Sequence, residues 1–178
     1  MSSFGDPTDL LASTRRVMLS GSITATTASE AAIALMYLDG LSAEPVTLML
    51  NAGGGSVDDV AGLIDTMALM RAPLTVEVRG RAHGAAGVVA AAALGERTVG
   101  PLASISLRLD QHALSGGAVT AAMAQAEAER VAESLRRLAV TIGARTGQTI
   151  DWVLDQFDRG ATFDASAAIE QGLADSLQ

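Results

Sequence analysis

The sequence contains no cysteine in its 178 residues, which excludes disulfides, thiolate metal sites and a thiol nucleophile. This absence agrees with a cytoplasmic protein, which is the localisation we predict. Residues 1–6 lack the basic and apolar regions of a signal peptide. The longest run of small apolar residues, 84–94, is about half the roughly 20 residues that span a bilayer, so we expect no membrane association.

Basic and aromatic residues are also scarce. The chain has 12 Lys and Arg against 20 Asp and Glu, for a net charge of −8. Nucleic acids and anionic membranes are bound by clustered basic residues, so we expect neither as a partner. Only 3% of the residues are aromatic although 49% are hydrophobic, which predicts a core of Ala, Val, Leu, Ile and Met. Such an apolar soluble chain favours burial of part of its surface in an oligomer.

Short apolar runs alternate with glycine-rich turns and capped helices along the chain. A capping box of Thr27 and Glu30 predicts a helix that ends near Leu38, with Gly40 as its stop signal. Ser56 predicts the N-cap of the next helix. Strand, glycine turn and helix in this order are typical of right-handed βαβ units, so we predict an α/β fold in a single domain over 1–178, with a flexible segment at 1–13. Strands are predicted at 17–19, 46–50, 74–78, 97–99 and 105–109, and further helices at about 57–70 and 85–93.

Residues 119–142 show the periodicity of one long amphipathic helix. Apolar residues recur at alternating spacings of four and three, and charged residues occupy the other faces. A helix well above the average length of about 11–12 residues is expected to project in part from its domain. The apolar stripe comprises Ala124, Ala128, Val131, Leu135, Leu138 and Ile142.

The first glycine-rich turn, residues 51–57, reads Asn-Ala-Gly-Gly-Gly-Ser-Val and lies between a predicted strand and a capped helix. Backbone amides at such a turn bind anions. The turn lacks the lysine of a phosphate-binding loop and the spacing of a dinucleotide fingerprint. By itself it is equally compatible with the geometry of a tight turn.

Two further segments complete a pattern. The second turn, residues 80–87, reads Gly-Arg-Ala-His-Gly-Ala-Ala-Gly, and the tail, residues 163–175, reads Phe-Asp-Ala-Ser-Ala-Ala-Ile-Glu-Gln-Gly-Leu-Ala-Asp. Together with the first turn, these segments resemble the Clp protease proteolytic subunit, a family of ATP-dependent serine endopeptidases. The resemblance spans about residues 14–176 and implies a ClpP/crotonase-type fold of repeated βαβ units with a long protruding handle helix.

The resemblance implies a catalytic triad, and this chain departs from it. The nucleophilic serine falls at Gly84, which cannot attack a carbonyl. The aspartate falls at Gly160, and Asp158 is displaced two residues upstream. Without these groups, binding and an oxyanion hole are what remains of such a site. The positions that the resemblance implies for an oxyanion hole are Gly54, Gly55 and Ala85.

The histidine position is open between two registers. Read without gaps it falls at Arg108, which we favour, whereas an insertion of about four residues would place it at His112. An arginine stays protonated and cannot serve as a general base. His83 lies one residue before Gly84 and is interpreted as structural.

We therefore predict a non-proteolytic, structural or regulatory ring subunit of an ATP-dependent Clp protease assembly, with no metal or other cofactor. The resemblance implies heptameric or tetradecameric rings, mixed with active paralogous subunits and docked to a AAA+ unfoldase, and leaves binding of peptide substrates open. One alternative is a hydrolase with a rebuilt site that uses His83 or His112 with Asp110 or Asp158. The other is a binder of small molecules or acyl thioesters that uses the amides of the glycine turns.

Overall fold

The computed structural model describes residues 7–109 and 120–178. Within these residues, seven strands form one sheet, and seven helices accompany it. The strands are β1 (Arg16–Ser22), β2 (Val46–Gly53), β3 (Leu74–His83), β4 (Glu96–Val99), β5 (Ser104–Ser106), β6 (Thr162–Asp164) and β7 (Ser176–Leu177). The helices are α1 (Pro7–Thr14), α2 (Ala25–Leu41), α3 (Val57–Leu69), α4 (Ala85–Ala92), α5 (Ala121–Thr146), α6 (Ile150–Arg159) and α7 (Ala165–Glu170).

The main path of the sheet is parallel, in the order β1-β2-β3-β4-β7. One helix lies in each of the connections from β1 to β2, from β2 to β3 and from β3 to β4. Strand β5 continues the sheet beside the end of β3, and β6 pairs with β5 in the antiparallel direction. The predicted α/β fold of repeated βαβ units is therefore confirmed.

The core lies between one face of the sheet and the helices. Leu48 and Val76 on the central strands are fully buried, as are Leu35 and Leu38 on α2. Helix α4 is buried over all eight of its residues, which are alanine, valine and glycine. Such small residues allow α4 to lie close to β2 and β3, so its N-terminus is held rigidly behind the second glycine turn.

The predicted N-cap of α3 is confirmed, and that of α2 is wrong. Ser56 accepts a hydrogen bond from the Asp59 amide, and the Asp59 carboxylate accepts one from the Ser56 amide at 2.8 Å. In α2 the cap is Thr24, and the amide of Thr27 donates to its hydroxyl at 3.2 Å. Thr27 is therefore the third residue of the helix and not its N-cap. Its hydroxyl accepts the hydrogen bond from the Thr24 amide, which is the role in the capping box that the sequence predicts for Glu30.

Gly40 does not end α2, which continues to Leu41. The carbonyls at the end of this helix are satisfied by a side chain from another part of the chain. The Arg15 guanidinium donates to the carbonyl oxygens of Leu38 at 3.1 Å and of Ser42 at 3.2 Å. A left-handed glycine is therefore not needed to satisfy them.

Three other boundaries differ from the predictions. Pro7–Thr14 forms α1, although a flexible segment was expected over 1–13. Strand β1 runs through Gly21 and ends at Ser22. Strand β5 ends at Ser106, so the predicted strand over 105–109 is too long, because Ser106 is the last residue that pairs with β3 and β6.

The long helix α5 is divided into an inner half that packs and an outer half that projects. In the inner half, Leu138 is 9% exposed and Ile142 is fully buried. In the outer half, Val131 is half-buried and Ala128 is exposed. The predicted apolar stripe thus joins the core only at its C-terminal end.

Candidate functional site

Gly84 lies at the turn from β3 into α4, with φ +64° and ψ −131°. This conformation is strained for any residue with a side chain. A Cβ atom built on Gly84 would lie 3.1 Å from the Arg108 carbonyl oxygen and 3.1 Å from that of Gly54. The backbone therefore makes a sharp strand-to-helix turn of the kind that presents the nucleophile in α/β-hydrolases, but here the turn is closely packed.

Arg108 and Gly160 are in direct contact. Gly160 is the left-handed C-cap of α6, with φ +63°. A Cβ atom built on it would lie 2.7 Å from Cδ and 2.8 Å from Cγ of Arg108. The aliphatic stem of the arginine thus occupies the space that a side chain at position 160 would need.

The structure brings Gly84, Arg108 and Gly160 together, although 24 and 52 residues separate successive members along the chain. None of the three offers a nucleophilic hydroxyl, a proton acceptor or a carboxylate. That they are the degenerate triad positions stays a prediction, to which this convergence lends support.

The amide of Ala85 is used inside the fold. It donates to the Gly54 carbonyl oxygen at 3.0 Å, and the Gly84 amide donates to the Ser106 carbonyl oxygen at 2.9 Å. The hydrogen bond from Ala85 to Gly54 ties the two glycine turns together and gives the Ala85 amide a partner inside the fold, and the expectation that Ala85 contributes to an oxyanion hole stays a prediction. Gly54 and Gly55 lie beside the turn, and the Gly54 amide nitrogen is 3.3 Å from a Cβ atom built on Gly84.

His83 faces strand β5. Its Nε2 atom lies 2.8 Å from the Ser104 hydroxyl, a contact that requires the pairing of β3 with β5. Partial burial, and to a smaller degree the positive charge of Arg81, lowers the pKa of His83 below its usual value. Sequence reasoning did not single out Ser104, because no local pattern signals a partner 21 residues away.

Three candidate residues from the sequence remain, and the structure describes only one of them. His112 and Asp110 lie outside the described residues. Asp158 lies on α6 and lines a groove of about 520 Å³ beneath the outer half of α5. The walls are formed mainly by the α5 stripe and by apolar residues of α6, so the groove explains why that stripe is apolar beyond the core. Its apolar lining includes Val57, Leu109, Val131, Leu135, Leu154 and Phe157.

Arg130 fastens this outer half of α5 to the start of α3. Its guanidinium donates to both carboxylate oxygens of Asp58, at 2.7 and 3.0 Å, and to both of Glu127, at 2.7 and 2.9 Å. The Arg130 hydrogen bonds lower the pKa of Glu127. We call this group the Arg130 clamp.

Metal-binding clusters and membrane-spanning helices are both absent from residues 7–109 and 120–178. No group of three or more His, Asp or Glu side chains there could hold a metal ion. Among the same residues, no helix is long and apolar enough to cross a membrane.

Comparison with solved structures agrees with the fold. ClpP1 from Listeria monocytogenes superimposes with a TM-score of 0.80, at 22% identity over 96% of this chain and 95% of that one. The architecture described above is therefore that of ClpP.

Sequence comparison defines the family. The Clp protease family model matches residues 2–178, and the chain belongs to this family. The ATP-dependent Clp protease proteolytic subunit 1 of Rhodopirellula baltica is 29% identical over 95% of this chain and 74% of its own length. The proteolytic subunit 4 of Rhodococcus jostii is 33% identical over 76% of this chain and 69% of its own.

Proposed function

We propose that this protein is a non-proteolytic member of the Clp protease family that acts as a structural or regulatory subunit of a ring. The observation that carries the proposal is the arrangement of Gly84, Arg108 and Gly160. They lie together at the strand-to-helix turn, yet they supply no group that could attack, deprotonate or orient.

The packing around Gly84 supports the loss of the nucleophile. A residue with a side chain in this conformation costs of the order of 1–3 kcal/mol in backbone strain. Glycine adopts it without that cost. The Cβ atom of a serine here would also lie 3.1 Å from two carbonyl oxygens. Glycine at position 84 therefore stabilises the turn but provides no nucleophile.

The exposed face of the sheet supports association. Side chains of β1 alternate between buried and exposed, and Met18 on the outer face is 53% exposed. Its neighbour in register, Met49 on β2, is only half-buried. Parallel sheets are almost always covered on both faces, so an uncovered face predicts a partner.

The opposite side of the molecule carries a matching surface. Four apolar residues of α2 recur at helical spacing on its outer side and are 42–66% exposed. Neither α2 nor α3 contains a basic residue, whereas Arg16 and Arg79 are exposed on the sheet side. Two different surfaces on opposite sides of one chain associate head to tail, which gives a ring when the rotation closes. The α2 surface consists of Ile33, Met36, Tyr37 and Leu41.

The finer parts of the proposal rest on the resemblance. These are the number of seven subunits, the stacking of two rings through α5, the mixing with active paralogous subunits and the docking of a AAA+ unfoldase. The projection of the outer half of α5 supports the stacking, since an exposed helix carrying apolar residues gains stability by pairing.

Assembly is tested by native mass measurement and by disulfide trapping. Because the chain has no cysteine, a variant with Met18→Cys and Met36→Cys carries only the two introduced thiols. Oxidation should produce covalently linked oligomers, since the two positions lie on surfaces that we expect to face each other. The control combines Met18→Cys with Asp151→Cys on α6 and should give no covalently linked ladder on a denaturing gel, although its rings still assemble. The absence of covalently linked oligomers in both variants would contradict the proposed interface.

Activity is tested with fluorogenic peptides. The protein alone should not hydrolyse them, and Gly84→Ser alone should not create a useful protease, because an unactivated serine is a poor nucleophile. Gly84→Ser, Arg108→His and Gly160→Asp combined should give at least slow labelling by a fluorophosphonate. If the single variant labels as fast at position 84 as the triple variant, the assigned triad positions are wrong.

The two alternatives differ in their support. The hydrogen bond between Ala85 and Gly54 weighs against a thioester binder, because it removes one amide from the turn. The hydrogen bond between His83 and Ser104 favours some serine chemistry away from Gly84.

A further inference from the structure

We propose that Ser104 and His83 form a nucleophile–base pair that accepts acyl or phosphonyl groups from small activated esters. The Ser104 hydroxyl oxygen lies 2.8 Å from His83 Nε2. A serine hydroxyl within hydrogen-bond reach of an imidazole is the arrangement that activates serine nucleophiles. This activity is separate from the proposed function as a ring subunit, which rests on the lack of chemical groups around Gly84.

The pair is rigidly held and accessible. Residues 81–83 of β3 pair in register with Ser104–Ser106 of β5, which fixes the separation of the two backbones. Both His83 and Ser104 are half-buried, so a small reagent can reach the hydroxyl while the imidazole keeps its orientation.

The protonation state of His83 suits a base. Its pKa is lowered, chiefly by partial burial, so the imidazole is neutral at neutral pH. A neutral imidazole can accept the hydroxyl proton through Nε2, whereas an imidazolium could not.

Arg81 supplies a positive charge beside the pair. It is the register neighbour of Ser104, and its Nε atom and the His83 Cβ atom lie 3.8 and 3.7 Å from a Cβ atom built on Gly53. A positive charge close to the attacked carbon stabilises the oxyanion of a tetrahedral intermediate.

The step balances with water as the only co-reactant. The Ser104 Oγ atom attacks the acyl carbon, and its proton passes to His83 Nε2. The bond to the leaving alkoxide or phenoxide breaks, and that group takes the proton from His83. Water then attacks the acyl-serine, which releases a carboxylic acid and restores the hydroxyl.

The first test is labelling of the intact protein with a fluorophosphonate, followed by peptide mass spectrometry. We expect an adduct on Ser104 that is absent in Ser104→Ala and unchanged in Ser29→Ala, which removes an exposed hydroxyl of α2. His83→Gln should slow labelling at least tenfold, because a positioned base contributes roughly 10²–10⁴-fold. An adduct that is missing from Ser104, or that forms equally fast in His83→Gln, would overturn the proposal.

The second test uses alkylation of a thiol, a reaction that forms no oxyanion and therefore reports only on the base. In Ser104→Cys the introduced thiol is the only one in the chain, so its alkylation by iodoacetamide reports on the pair alone. We expect it to react at least tenfold faster than the thiol of Ser29→Cys, and to lose this advantage when His83→Gln is added. Equal rates would overturn the proposal and leave the ring function untouched. Peptide hydrolysis that disappears in Ser104→Ala would instead contradict the non-proteolytic function.

Discussion

Two groups of residues in this molecule, one around Asp175 and one around Arg108, differ in how their charges are paired. In the first, Asp175 accepts hydrogen bonds from the Arg97 amide at 2.8 Å and from the Arg145 guanidinium at 3.3 Å. Arg145 also donates to the carbonyl oxygens of Ala93 and Gly95, at 2.7 and 2.6 Å. This cluster ties α5, β4 and the C-terminal tail together, and both of its arginines are paired with the Asp175 carboxylate.

In the second cluster, Arg108 lies over Gly160 with no complementary charge at either triad position. The comparison shows what the family pattern preserves in this chain. Asp175 closes the tail motif that made the family recognisable, and it has a structural role. The motif therefore identifies the fold, whereas the positions that would carry the chemistry differ.

The largest effect is expected from Asp175→Asn. Arg97 is 2% exposed, so the variant leaves a buried guanidinium without its carboxylate. Breaking a buried pair costs about 3–5 kcal/mol, and we expect the lower end because the Asp175 side chain is 36% exposed. Urea denaturation followed by the fluorescence of Trp152, the single tryptophan, measures the loss.

The pH dependence and a control sharpen this prediction. Burial raises the pKa of Asp175, but hydrogen bonds and charge from Arg97 outweigh it, so the folded-state pKa lies below the usual 3.8. The stabilisation is then complete above pH ~4 and declines as the pH falls through the folded-state value, so wild type and variant should converge in acid. Asp155→Asn breaks only a surface pair with Arg159 and should cost less than about 1 kcal/mol. A similar cost for both variants would contradict the comparison.

Local sequence patterns predict the strands and helices around Asp175, but they do not predict the contacts that Asp175 makes. The order of strands and helices follows from apolar runs, glycine turns and the Ser56 cap, all of which act within a few residues. Arg97 and Asp175 are 78 residues apart, and no periodicity pairs them. The same holds for the Arg108 stem over Gly160 and for the Ala85 amide, whose acceptor could be found only by bringing two strands together. The cap of α2 was misplaced because Thr24 and Thr27 are chemically equivalent candidates.

The next largest effect concerns the second cluster. Gly160→Asp adds left-handed strain and a side chain that collides with the Arg108 stem, and should cost about 2 kcal/mol. Adding Arg108→Ala should recover at least about 0.5 kcal/mol, since the two residues are in contact. Urea denaturation of the four proteins of this cycle measures the coupling.

Gly147→Asp is the matched control for that cycle. Gly147 is also a left-handed helix C-cap, with φ +77°, but nothing lies within 4 Å of a Cβ atom built on it. Its cost should come from strain alone and should be unaffected by Arg108→Ala. Additive effects of Gly160→Asp and Arg108→Ala would refute the contact.

A smaller effect on stability, but a visible one on assembly, is expected in the outer half of α5. Val131→Glu with Leu135→Glu places charges on the apolar stripe, where each buried Leu or Val contributes about 1.5–3 kcal/mol to an interface. Native mass measurement should show any double ring split into smaller assemblies while the monomer stays folded. Ala126→Glu with Val140→Glu changes exposed positions of the same helix and should leave the assembly intact. Unfolding without dissociation would mean that the stripe belongs to the core of the monomer.

The smallest effect is expected from the Arg130 clamp, which is exposed and therefore contributes little to global stability. Arg130→Gln should leave the urea midpoint nearly unchanged but raise amide exchange in residues 121–134 several-fold, because this part of α5 has few other contacts with its domain. Arg137→Gln, whose ion pair with Glu133 stays within α5, should not change the exchange. In wild type, the exchange rate relative to the intrinsic rate of an unfolded chain at the same pH should also rise as the pH falls through the lowered pKa of Glu127, since protonation removes one of the carboxylates that hold Arg130. Unchanged exchange in Arg130→Gln would show that the groove contacts, and not the clamp, hold the outer half of the helix.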